Sequence, residues 1–205
     1  MFISLGPHCN VAHQIRSNTP YKQRQFFDWL MTDFESVIQI LNGHQLDPET
    51  NNEPVNAKTC TKFWFKGLDC VSIHDVPISY TQEHVDKFVQ DYERRRVRLI
   101  EIIKSKQHIY FLRFVNGTDN KPSTELCEKF IETIKTINPE CQFDLVLVVA
   151  DKEFIKDLFK IEISENLFKF SVWVDPPVPF VSRIHWTTEW VRWKEVFEII
   201  NNKFK

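Results

Sequence analysis

The run Phe143-Asp144-Leu145-Val146-Leu147-Val148-Val149-Ala150 decides the fold. It is an almost unbroken apolar stretch of strand length. A strand covered on one face alone would alternate apolar and polar residues, so this one belongs in a parallel sheet buried on both sides. Working outward, "HIYFLRFV" (108–115) reads as a second core strand. Between the two, a helix from about Pro122 to Ile137 is closed by Asn138-Pro139. Downstream, a short helix (Lys152 to Lys160) precedes a strand near "FKFSVWV" (168–174). A last helix from about Thr188 carries Trp190, Trp193, Phe197, Ile200 and Phe204 on one face.

Upstream, a long helix is predicted from Thr81 to Lys104, with Val85, Val89, Tyr92, Leu99 and Ile103 at helical spacing and Arg96 on the same stripe. "TKFWFKGLDCVSIHD" suggests two short strands about a Lys66-Gly67 turn, and residues 44–59 read as a polar loop. Thr32 and Glu35 make a capping-box pattern ahead of Phe34, Val37, Ile38 and Leu41, and Asn42-Gly43 gives a stop. Alternating strands and helices predict an α/β domain over 1–205: a three-layer, mainly parallel sheet of about five strands with helices on both faces, Rossmann-like and unlike papain.

In such sheets ligands sit beyond the carboxyl ends of the strands, where Gly6 to Cys9, Arg113 to Asn116 and Asp151 emerge. Phe2 to Leu5 read as a strand, Gly6 and Pro7 break it, and Asn10 to Arg16 begin a helix. Cys9 therefore stands at a helix N-terminus, where free N–H groups and the dipole favour a thiolate. The plainer reading is a thiol packed as a small hydrophobe, which suits Cys127 and Cys141.

Three histidines compete as the base. His74 ends a predicted strand in "SIHDV" beside Asp75, His13 lies one helical turn after Cys9, and His8 precedes it. Asp28, wrapped by Phe26, Phe27, Trp29 and Leu30, could orient an imidazole or form a buried ion pair. Arg96 and Arg113 interrupt apolar patterns, so each calls for a carboxylate or an anionic ligand. Pairing Asp28 with either would satisfy both residues without a substrate. Arg94, Arg95 and Arg98 read as a solvated face.

The pairs Cys9-x3-His13 and Cys70-x3-His74 offer four N/S donors for zinc. Zinc knuckles, however, use Cys-x2-Cys spacing with Gly-rich turns, and five Cys with seven His produce chance pairs. No metal and no cofactor is assigned. With four glycines there is no GxGxxG and no GxxxxGK[ST] loop. The balance of 26 Lys+Arg against 28 Asp+Glu argues against nucleic acid or an anionic membrane as the main partner. No apolar run approaches spanning length and no signal-peptide pattern opens the chain. A cytoplasmic setting (host cytoplasm if viral) with five reduced thiols is expected.

Taken in order, "SLGPHC", "VAHQIR", "FFDWL", "IHD" and "ERRRVRLIE" before "IYFLRF" resemble a family from bacteria and large DNA viruses catalogued as "putative papain-like cysteine peptidases". The resemblance implies Cys9 as nucleophile and His74 as base, with Asp28 and Arg113 in the site wall. The combined expectation is a cysteine-dependent hydrolase or acyl transferase, with peptidase activity among the outcomes. Asp28 or Asp75 would orient His74. His8, His13, Arg96, Arg113 and Asn116 would contact a small-molecule, peptide or glycan-like substrate. The alternative is a non-thiol domain that binds a sugar or nucleotide-like ligand, with Asp28, Arg96 and Arg113 as an ion network.

Overall fold

The computed structural model describes residues 1–7, 9–50, 54–55, 60–116, 122–151, 159–164, 166–173 and 193–203. The arrangement is mixed α/β. Its main sheet has the order β1 (Phe2–Ser4), β8 (Ile109–Asn116), β9 (Phe143–Asp151), β11 (Leu167–Trp173), β10 (Phe159–Ser164). The first four strands pair in parallel, and β10 joins β11 antiparallel. Both predicted core strands are present. The short helix expected over 152–160 is corrected at its end, where Phe159 and Lys160 open β10; its remainder, like most of the Trp-rich segment before Trp193, lies outside the described residues.

The unbroken apolar run in β9 has the predicted cause, because its alternate side chains enter two different cores. Ile109 and Phe111 of β8 with Leu145 and Leu147 of β9 face one cluster, shared with α2 (Phe34–Leu41), α3 (Gln82–Ile103) and α4 (Thr124–Ile137). Leu112, Phe114, Val146 and Val148 face the other, shared with Val11 and Ile15 of α1 (Cys9–Asn18) and Trp193, Val196 and Phe197 of α5 (Trp193–Lys203). Burying each such side chain contributes about 1.5–3 kcal/mol.

A second, antiparallel sheet runs β2 (Leu30–Thr32), β7 (Cys70–Ser72), β6 (Phe63–Phe65), β3 (Pro48–Glu49). Between β3 and β6, β4 (Pro54–Val55) and β5 (Cys60–Thr61) form a separate two-stranded pair. The β6–β7 hairpin is the one expected about Gly67, whose φ of +75° favours glycine. Phe65 packs on Phe26, Phe88 and Tyr92, fastening this sheet to α3.

On α3 the buried stripe is Phe88, Tyr92, Arg95, Leu99 and Ile103. The arginine turned inward is therefore Arg95, not Arg96, and the expectation that Arg95 and Arg98 are merely solvated is corrected. Both 95 and 96 stand three or four residues from Tyr92 and Leu99, so spacing admits either, and the rotation of the helix about the Tyr92 packing turns 95 inward.

Candidate functional site

Cys9 opens α1 directly after the β1 turn. Leu5 N–H donates to Leu112 O at 2.8 Å, Gly6 takes φ +73° before a cis bond to Pro7, and Gly6 N–H donates to Ser4 Oγ at 3.3 Å. Arg113, 1% exposed, reaches across from β8 and donates to Leu5 O (2.7 Å) and Thr32 O (3.0 Å). Its guanidinium also lies over the Phe34 ring. Expected as a ligand or carboxylate partner, Arg113 instead ties the Cys9 turn to β2.

Cys9 is half-buried, with its thiol free. Burial pushes that thiol up to about 11, against the opposing pull of its own backbone N–H. Desolvation of the thiolate outweighs the helix terminus here. Among the described residues no hydrogen bond joins Cys9 to an imidazole. His13, one turn on, has its Nε2 3.5 Å from Ser17 Oγ.

His74 follows β7, and β2 explains its neighbour. Leu30 pairs with Ser72, so in antiparallel register the residues just before β2 lie opposite those just after β7. Trp29 accordingly meets the His74 ring edge-on, with centroids 5.8 Å apart. The Arg16 and Arg24 guanidiniums lie over the same indole at 5.4 and 5.8 Å. Arg16 falls seven residues after Cys9, so Cys9, His13 and Arg16 share a face of α1. Desolvation, helped by Arg24 and opposed by Asp75, holds the His74 pKa below its ordinary value.

The two carboxylates of the region serve other partners. Asp28, 4% exposed, accepts from Arg16 Nη2 (3.0 Å) and the Gln25 amide (2.8 Å). Burial raises its pKa despite those donors and Arg24. Asp75 accepts from Arg24, from Ser72 Oγ (2.6 Å) and from Tyr92 OH (2.7 Å). Desolvation would raise its pKa, but these donors together hold the carboxyl below its ordinary value. Arg96 bonds to His44 O (2.7 Å) and pairs with Glu93 (2.6 Å). The expected pairing of Asp28 with Arg96 or Arg113 is thus replaced by Arg16.

His8 and the side chain of Asn116 lie outside the described residues. Cys70 is fully buried in β7, and among the described residues no group of three or more His, Cys, Asp or Glu is arranged to hold a metal. Also among the described residues, no helix is long and apolar enough to cross a membrane.

Arg16, Arg24 and Trp29 were not read from the sequence as site residues. Arg16 was available from its spacing to Cys9. Arg24 and Trp29 had no such signal, because the strand register that brings them to His74 is not visible locally.

A family described as "Putative papain-like cysteine peptidase" matches residues 1–153, which include Cys9, Asp28, His74 and Arg113. No curated protein and no solved structure matches the chain.

Proposed function

The chain belongs to this family, and from that premise we propose that it is a cysteine-dependent hydrolase or acyl transferase using Cys9 and His74. The observation that carries this reading is the position of Cys9: first residue of α1, at the carboxyl edge of the parallel strands, in a segment the family covers. His74 is tied to the same helix, since Arg16, about two turns after Cys9 on that face of α1, lies on Trp29, and Trp29 meets His74.

With the Cys9 thiol pushed up to about 11 and the His74 imidazole held below its ordinary value, both groups are uncharged at pH 7. His74 takes the proton as Cys9 Sγ bonds to the substrate carbonyl carbon. Backbone N–H groups at the α1 terminus receive the oxyanion, and the leaving group departs with the proton from His74. Water, or an acceptor nucleophile, then displaces the acyl group and regenerates the thiol. Asp75 acts on His74 through charge, with Arg24, Ser72 and Tyr92 fixing that carboxylate.

p-Nitrophenyl acetate tests the chemistry without a known substrate. Intact-mass and peptide mapping are expected to find acetyl on Cys9, with His74→Ala slowing the transfer about a hundredfold or more. Acetylation confined to Cys60 or Cys141 overturns the assignment.

A second reading, a non-catalytic domain holding a sugar- or nucleotide-like ligand, is favoured by the raised Cys9 pKa. In that case the reagent leaves Cys9 unmodified at neutral pH.

A further inference from the structure

The arginines around Trp29 and Tyr92 form a circuit whose charge is unbalanced. Arg16 bonds Asp28. Arg98 feels the charges of Arg94, Arg95 and Asp28, and its Nη2 donates to Arg24 O. Arg24 pairs with Asp75, Asp75 accepts from Tyr92, and the Arg95 guanidinium lies 4.5 Å from the Tyr92 ring. Four guanidiniums thus face two carboxylates, a surplus of two positive charges. Neighbouring acids are spent elsewhere, since Asp91 holds Arg94 and Glu93 holds Arg96.

The polar inventory agrees. Arg95 is 7% exposed and makes no hydrogen bond among the described residues. Its Nη1 and the Nε of Arg16, Arg24 and Arg98 are four of the seven sealed polar side-chain atoms without a partner among the described residues, and all four are donors. A buried cation with no acceptor is strongly unfavourable, so Arg95, with the donors left over on its three neighbours, points to an acceptor taken up by the circuit. Arg16 and Arg24 have side chains 27% and 32% exposed, whereas Arg95 is buried.

We propose that the Arg16–Arg24–Arg95–Arg98 circuit binds a doubly charged tetrahedral phosphoryl group, free or as a monoester. Two negative charges cancel the surplus, whereas a carboxylate cancels half of it. Guanidinium forks match phosphate oxygens in pairs, which a set of lysines would not do. The site does not depend on the Cys9 chemistry. It adds a recognition element for phosphorylated ligands to that side of the molecule.

Calorimetry and thermal melts with inorganic phosphate, at fixed ionic strength in chloride, test it. The wild-type chain is expected to bind one phosphate saturably and to melt higher with it, while acetate has neither effect. Phenyl phosphate, compared with phosphate, separates the monoester from the free ion: tighter binding assigns the monoester, and equal or weaker binding the free ion. Arg95→Met should weaken phosphate by at least about tenfold, while melting no lower than wild type in chloride, because it removes a buried unpaired charge. Arg98→Gln should weaken it similarly. Arg94→Gln, exposed and paired to Asp91, and Cys9→Ser should each bind within about twofold of wild type. The Cys9→Ser result lets the anion site and the thiol chemistry fail separately. No saturable phosphate binding, equal response to acetate, or undiminished binding in both Arg95→Met and Arg98→Gln overturns the assignment.

Discussion

Arg113 holds the turn that delivers Cys9, and it does so with two arms. One reaches Leu5 O and the other Thr32 O, at 2.7 and 3.0 Å, from a side chain 1% exposed. Burial lowers its pKa to about 10, opposed by Asp33, yet it stays protonated at neutral pH. Lysine carries the charge but has a single ammonium in place of the planar fork, and it cannot span both carbonyls. Arg113→Lys should therefore leave one buried carbonyl unmet and cost about 1–3 kcal/mol in urea unfolding. Iodoacetamide should also reach Cys9 faster at pH 8, because a loosened turn relieves the desolvation that raises the thiol. An unchanged midpoint together with unchanged labelling would show that the turn stands without the fork.

Periodicity located most elements and missed where some of them begin or face. The helix over 82–103 and the strands at 109–116 and 143–151 announced themselves by long apolar patterns. The capping-box pattern puts the start of α2 one residue early. Thr32 pairs with Cys70 in β2 and gives its carbonyl to Arg113, so Asp33 becomes the cap and accepts from Ser36 N–H at 2.8 Å. Asp33→Ala should cost about 1 kcal/mol, read as a lower urea midpoint, whereas a midpoint equal to wild type would mean the helix is held by packing alone. On α3, spacing admits either of two adjacent arginines, and the sequence reading places Arg96 on the stripe. Only the rotation of the helix, fixed by Phe26 and Phe65 against Tyr92, selects Arg95 for burial over Arg96.

At the scale of the whole molecule, the legible part of the candidate site is what lies along one element: Cys9, His13 and Arg16 on α1 follow from spacing. The part that was not legible depends on β2 pairing with β7, which carries Trp29 to His74, and on the side chains gathered around Asp75 from a loop, a strand and a helix. Burial across the two cores has a further consequence at alkaline pH. It pushes Cys9 and Cys127 up to about 11 and Cys70 and Tyr110 up to about 12, with Tyr92 also well above its ordinary value. In the unfolded chain these thiols release protons near pH 9 and the phenols near 10, while the folded chain still holds them. A raised folded-state pKa gives stability that is whole below the unfolded value and is lost as pH climbs toward the folded one. The urea midpoint should then be level from pH 7 to about 8.5 and fall to about pH 10, above which the lowered Arg113 pKa acts in the opposite sense. A tenfold difference in proton affinity between the folded and unfolded chain is worth about 1.4 kcal/mol at most. Cys70→Ala with Cys127→Ala removes two contributors and should flatten the fall even if it lowers the midpoint at pH 7. A midpoint that stays level to about pH 10 in the wild-type chain would mean that these groups ionise without unfolding, and that the two cores admit water where they are closed.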